Sequence, residues 1–385
     1  MVPDGARRNP DKTSTTHAAE LFGLDPAELY AAAARSPEAA CGFYNRNVRI
    51  GDLLVRTPIA GADGMDLRIW PEHEVLAAIA PHLEHDPSGF EAPEHPESRR
   101  ITRGASSVGE LAEPERAGGG RGSRAPRLLF VSTEPAFQVH EFVDGTLLDE
   151  LAPRGTRVPV HVVEDVAELF RRLLDVPLRE LPEVPGDWPG DGDTAAFARR
   201  LSATTGEVYE TFRHDYAVEF RRLGIPGAPL APVRWDTLGR RPFRLVHSDV
   251  HRKNMIVSGG RTVFLDWELA LWGDPVYEMA VHLHKMAYFD DERHALLQRW
   301  ARVMPVDAVR GWQADLETYL AHERMKSAIV DTVRYTQLVR SGGQTPEQDR
   351  QLIVKLTHKL NAAGPYWGRR VLESDHVERV IRAGG

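Results

Sequence analysis

The first third of the chain carries short runs of apolar positions, and beyond it the spacing becomes helical. Asp25 and Pro26 make an N-cap and a first-turn proline ahead of an alanine-rich stretch, so a helix is expected over 21–34. Residues 47–50 and 53–59 read as strands around a Gly51-Asp52 turn. Val75, Leu76, Ile79 and Leu83 recur at helical intervals, which predicts a helix over 72–83 with Pro71 suited to its first turn. A second strand pair is expected at 128–132 and 137–143, around Thr133-Glu134-Pro135. Beyond Asp144-Gly145 the pattern predicts long helices at 162–174, 195–223, 308–340 and 346–362, with no internal repeat. A strand-rich part joined to a helix-rich part gives an α+β class in two lobes.

Composition changes this picture in three places. The 385 residues are 42% apolar and 27% charged, enough for a sizeable core, but residues 85–127 hold 12 Gly or Pro among 43 and a single aromatic, Phe90. Such a segment buries too little apolar area to offset its ordering entropy, so a disordered insertion is expected there, and a mobile polar tail at 1–16. A net charge of −8 argues against nucleic-acid binding through a broad basic surface. No apolar run approaches membrane-spanning length, and the start does not read as a signal peptide. The single cysteine, Cys41, excludes an intramolecular disulfide and fits a reducing compartment, so a cytoplasmic protein is expected, as monomer or homodimer. Only six of the 48 basic residues are lysines (12, 253, 285, 326, 355 and 359), and none lies between positions 12 and 253.

The candidate chemistry lies in residues 245–280. His247-Ser248-Asp249 is followed five residues later by Asn254. Two short apolar strands then flank Gly259-Gly260, a strong hairpin signal, and the second strand ends at Asp266. The hairpin sets an amide oxygen at its entry and a carboxylate at its exit, close enough to share hard cations such as Mg²⁺. Asp249, on the loop before it, can accept a proton from a hydroxyl attacking a phosphate. That division of labour belongs to kinase-type phosphoryl transfer. A lone HxD triplet is common by chance; the whole ordered set is far more demanding.

HSDVHRKN followed by FLDWE and Gly273-Asp274-Pro275 resembles the signature of the aminoglycoside phosphotransferase and choline kinase family, small-molecule relatives of protein kinases. The resemblance implies a two-lobed protein-kinase-like fold, with a small antiparallel-sheet lobe over 1–142 and a mainly helical catalytic lobe over 143–385. It implies Asp249 as catalytic base and Asn254 and Asp266 as metal ligands, with Glu268 completing the Asp-x-Glu motif of the metal site. ATP or GTP and Mg²⁺ are the implied cofactors. His247 is expected to hold the loop by hydrogen bonding; His251 either orients it or is an ordinary packed or solvated histidine.

The resemblance extends upstream. Residues 42–49 (GFYNRNVR) are similar to the turn that covers the phosphates in choline kinase-like enzymes, which makes Asn45 a nucleotide-site candidate. The lysine gap excludes the usual third-strand lysine of protein kinases, and Arg56 stands where a fork of donors can span two phosphate oxygens. Its expected partner is Glu74, with Glu72 as the alternative. Residues 138–145 resemble the hinge between lobes, with His140 to Phe142 as adenine contacts and Asp144 capping the next helix or reaching the ribose.

For the acceptor two readings stay open. Asp290, Asp291, Glu292, Asp315, Glu317, Glu323 and Asp331 could face a hydroxylated, amine-bearing acceptor; Trp267, Trp272, Tyr288, Trp312, Tyr319 and Tyr335 could cage a quaternary ammonium. The arginine-for-lysine and alanine bias tilts the expectation, by association, toward a kinase that inactivates an antibiotic for self-resistance. The alternatives are a metabolic kinase for choline, an amino alcohol or a sugar, and a non-catalytic nucleotide-binding relative.

Overall fold

Helix α1 (Pro26–Arg35) starts where its cap dictates: the Asp25 side chain accepts from the Ala27 N–H at 3.1 Å. It lies against a five-stranded antiparallel sheet of order β1-β2-β3-β5-β4, formed by Ala40–Cys41, Asn45–Ile50, Leu53–Pro58, Leu128–Thr133 (β4) and Ala136–Glu141 (β5). The computed structural model describes residues 25–42, 44–59, 64–83 and 123–383. The polar tail, residues 21–24 of the first expected helix, Phe43 of the phosphate-turn motif and most of the expected insertion lie outside the described residues.

The register explains why this sheet holds. Val48 pairs with Val55 and Val55 with Val139, so a row of β-branched side chains faces Leu29 and Ala33 of α1, with Phe130 and Phe137 closing the cluster. The expected insertion ends earlier than its composition suggested. Residues 123–127 are tied in place: Arg124 pairs with Asp165 at 2.6 Å, its N–H donates to the Leu83 carbonyl, and its carbonyl accepts from Phe264.

Helix α2 (Glu72–Leu83) buries Val75, Leu76, Ile79 and Leu83 in the large core of the second half rather than in the core beneath the sheet. Next come β6 (Thr146–Leu147), short α3 (Leu148–Leu151), α4 (Val160–Leu173), α5 (Thr194–Phe212) and α6 (Ala217–Arg222). The single helix expected over 195–223 is broken. Tyr216 packs on Phe212 at 5.8 Å and turns the chain back, so that Phe220 stacks on Tyr209 at 5.1 Å.

Strand β7 (Arg244–Val246) leads into the catalytic-type loop, then β8 (Met255–Ser258), β9 (Arg261–Phe264) and β10 (Leu271–Gly273), which returns to pair with β7. The expected hairpin is present, and Gly259 and Gly260 carry positive φ (55° and 77°), as a two-residue turn of this hand requires. Five helices finish the chain: α7 (Pro275–Met286), α8 (Asp290–Val303), α9 (Trp312–Ser341), α10 (Pro346–Ala363) and α11 (Ser374–Ala383). The helix expected from 308 starts at Trp312, because Gly311 sits at φ 66°. Small antiparallel sheet and mainly helical partner together form the kinase-like plan expected from the sequence. Among the described residues no helix is long and apolar enough to cross a membrane.

Candidate active site

The loop 247–254 is held by its own histidines. His247 donates from Nε2 to the Leu265 carbonyl (3.0 Å), accepts from the Asp249 N–H at Nδ1 (3.3 Å) and packs at a tilt on buried Trp267 at 4.3 Å. His251 accepts from the Lys253 N–H and sets Nε2 3.5 Å from the Asp249 carboxylate. Ser248 and Asp266 both adopt left-handed backbone (φ 62° and 66°), a strain that non-glycine residues keep only where the surroundings enforce it.

Asn254 donates from Nδ2 to both the backbone and the side chain of Asp249 (3.1 and 3.0 Å), so its amide oxygen remains an acceptor. The Leu265 N–H bonds the Asn254 carbonyl at 2.8 Å and locks the hairpin's exit against its entry. Asp249, Asn254 and Asp266 therefore form one constellation.

Arg56 reaches this constellation from β3. Its guanidinium lies 3.0 Å from Glu72, 2.5 Å from Asp266 and 3.6 Å from Glu268, and it is nearly buried. The expected partner Glu74 is a half-exposed residue beside His73, and Glu72 takes its place. The reason is rotational. Glu72 shares the buried stripe of Val75, Leu76 and Ile79 at i, i+3, i+4 and i+7, whereas Glu74 points away from it. That stripe was available in the sequence. The Glu72 carboxylate also accepts from the Trp267 N–H at 3.1 Å, which ties α2 to the acidic motif.

Asn45 donates to Glu268 at 2.9 Å. Burial, then the nearby Asp266 charge, pushes the Glu268 carboxyl up to about 8. Glu268 thus serves as a shared acceptor between the lobes as the chain stands. The three carboxyl groups around the Arg56 guanidinium offer only oxygen donors, the lining a hard cation prefers. Among the described residues no three His, Cys, Asp or Glu side chains form a ready metal cage.

The hinge residues lead from β5 toward β6. His140 sits inside the sheet, paired with Leu54 and Leu128; its ring is buried on Gln138 at 2.9 Å, and burial pushes it down to about 3, hence neutral. Its side chain is interior to the sheet, which leaves only the backbone there for a nucleotide contact. The Phe142 N–H is already used by the Asp52 carbonyl (2.8 Å) and its ring lies under Arg49 (3.7 Å). Asp144 pairs with Arg49 at 3.5 Å in the open and caps no helix.

One site residue was missed. Lys285, in the last turn of α7, bonds the Asp249 carboxylate directly. Burial alone would raise that carboxyl, but the Lys285 ammonium and then His251 outweigh it and hold it well below the ordinary carboxylate range. Helix α7 presents one stripe to the loop: Glu278 accepts from the Ser248 N–H (2.9 Å), His282 donates to the Val250 carbonyl (2.8 Å), and Lys285 reaches Asp249. The helix is buried almost all round, so no amphipathic pattern announced it; Asp274 as N-cap and Pro275 at its start were the available signal.

On the acceptor side most of the named carboxylates already have partners within the chain. Asp315 binds Arg241, Glu317 binds Arg293, Asp331 binds Lys359, Asp291 binds Arg157, and Glu292 accepts from the Val158 and Phe289 N–H groups. Glu323 is buried between His322 and Lys326, and Asp290 is exposed at the head of α8. Of the six aromatics, Trp267 and Tyr319 are core, Trp272 is buried, Trp312 packs edge-on to Trp300, Tyr288 bonds His282, and Tyr335 lies under Lys359.

Residues 39–313 match the model of the phosphotransferase enzyme family. In fold the chain is similar to a choline/ethanolamine kinase family protein from Mesorhizobium loti (15% identity, 93% of this chain and 99% of that one, TM-score 0.49). It is also similar to a choline kinase from Streptococcus pneumoniae (11%, 87% and 98%, TM-score 0.44) and a macrolide 2'-phosphotransferase from Brachybacterium faecium (14%, 88% and 98%, TM-score 0.41). No curated protein sequence matches significantly. With its family model spanning most of the chain, this protein belongs to the phosphotransferase enzyme family of small-molecule kinases.

Proposed function

We propose that the protein transfers the γ-phosphoryl group of ATP or GTP to a hydroxyl of a small molecule. The observation that carries this reading is the meeting of Asp249, Asn254 and Asp266 beneath Arg56, which bonds Asp266 across 210 positions of chain. In the proposed reaction the acceptor oxygen bonds the γ-phosphorus, the bond to the β–γ bridging oxygen breaks, and the hydroxyl proton passes to Asp249. The nucleoside diphosphate leaves with the bridging oxygen. Asn254, through its free amide oxygen, and Asp266 are the groups that would hold Mg²⁺, whose charge would offset that on the phosphates. Arg56 would contact phosphate oxygens once nucleotide competes with its carboxylate partners. Asn45 and Glu268 then act as a tie between lobes, with Glu268 able to join the metal when the cation lowers its pKa.

The physiological role expected from sequence, inactivation of a hydroxylated antibiotic, remains part of the proposal and rests on composition alone. The engaged carboxylates and aromatics described above weigh against polycationic antibiotics and choline as acceptors, and so shift weight within both the antibiotic and the metabolic alternatives. Incubation with γ-labelled ATP and GTP across a broad panel of alcohols tests the reaction. Label is expected on an acceptor hydroxyl; a panel-wide absence of product with an enzyme that binds nucleotide would contradict it.

A further inference from the structure

Arg68 lies on the connection between β3 and α2, is exposed, and pairs with no carboxylate among the described residues. Its guanidinium instead rests over the Tyr44 ring, 4.2 Å from the centroid. That support is itself fixed. Tyr44 is 6% exposed, its hydroxyl donates to Asp66 at 2.6 Å, and Asp66 accepts from Arg334 of α9 at 2.8 Å. The next residue, about 3.8 Å on along the backbone, is Asn45, whose amide donates to Glu268 at 2.9 Å. Glu268 in turn stands 3.6 Å from Arg56. Tyr44 and Asn45 thus both reach the second lobe, and Arg68 sits beside the turn that meets the acidic motif. The Glu268 carboxyl feels the Arg68 charge as well as that of Arg56.

We propose that Arg68 is a second phosphate-binding arginine, donating to the polyphosphate of the bound nucleotide alongside Arg56. This rests on the phosphotransfer reading above and deepens it. The two arginines differ in what they have left to give. Arg56 is nearly buried and engaged by Glu72, Asp266 and Glu268, so a phosphate must compete for it. Arg68 has no such competitor among the described residues, and its exposed side chain can be reached without displacing protein. Resting on a ring face occupies none of its five N–H donors. The anchored ring also narrows where the guanidinium can go, which lowers the ordering cost when an anion binds. A fork of donors then suits two phosphate oxygens at once.

Titration calorimetry on the full chain tests this, with Mg-ATP or Mg-GTP, whichever the wild type binds, and with the matching nucleoside, adenosine or guanosine. In Arg68→Met the triphosphate affinity is expected to fall about tenfold while the nucleoside affinity changes less than about twofold. Arg68→Lys should recover only part of the loss, because a point charge lacks the fork. The triphosphate affinity of the wild type should also fall more steeply with salt than that of Arg68→Met. An unchanged triphosphate affinity in Arg68→Met overturns the proposal. So do equal losses for triphosphate and nucleoside, which would mean that Arg68 only steadies Tyr44 and its turn. A wild type that binds neither triphosphate contradicts the phosphotransfer reading itself, and this inference with it.

Discussion

Glu72 and Glu74 show how much a single residue's rotation on a helix decides. Glu72 is buried against Arg56, so Glu72→Gln leaves the guanidinium with Asp266 and Glu268 alone and is expected to cost about 2 kcal/mol of stability and to weaken nucleotide binding. Glu74→Gln should stay within about 0.5 kcal/mol of wild type in urea unfolding. Equal effects from the two would remove Glu72 from the site. Glu278 carries a pH signature. Burial pushes its carboxyl up to about 7, against the opposing N–H bonds of Ser248 and His247. An acid with a folded pKa above its unfolded value holds its proton better when folded, so its contribution is fullest below about pH 4.5 and is lost as pH rises through about 7, on the order of 3 kcal/mol in all. Glu278→Gln should therefore be more stable than wild type at pH 8 and show little advantage at pH 5. Urea unfolding at the two pH values decides it; an advantage independent of pH would contradict the assignment.

At the scale of elements, the sheet and the catalytic hairpin were legible because both are written in local rules: alternation, Gly-Gly at a tight turn, and a carboxylate just past a strand. The break within 195–223 was not, since Tyr216 turns the chain through packing on Phe212 that no window of apolar spacing records. Helix α7 was hidden for the opposite reason, being buried on nearly every side. Lys285 went unassigned with it, although Glu278, His282 and Lys285 fall on one face once the helix is placed. At the hinge, backbone contacts leave no residue-type mark, and the His140 side chain proved to be sheet interior. Gly145 ties the hinge to the hairpin. It sits at φ 147°, and a Cβ there would stand 2.5 Å from the Val257 carbonyl. Gly145→Ala is expected to pull β6 from β8, costing about 1–3 kcal/mol and lowering kcat; unchanged unfolding and kinetics would show that the β6 contact does not position the site.

At the scale of the whole molecule, the two lobes are joined by charge across the cleft. Arg334 of α9 bonds Asp66 (2.8 Å) and Tyr44 (3.0 Å), Asn45 bonds Glu268, and Arg56 bonds Asp266. Arg334→Met leaves Asp66 largely buried without its guanidinium and is expected to cost about 3 kcal/mol, seen as a lower midpoint in urea. An unchanged midpoint would mean that this pair adds nothing to closure. The cores cut across the boundary expected near residue 142, since α2 packs with the helical half. The proposed reaction gives Asp249 and Asp266 separate roles, and paired variants separate them. With Mg-ATP binding measured by calorimetry and turnover on the acceptor that profiling identifies, Asp249→Asn should bind nucleotide within a few fold of wild type while kcat falls by roughly 10²–10⁴. Asp266→Asn should lose Mg-ATP binding itself. If Asp249→Asn abolished Mg-ATP binding while Asp266→Asn retained it, the assignment of base and metal ligand would be reversed.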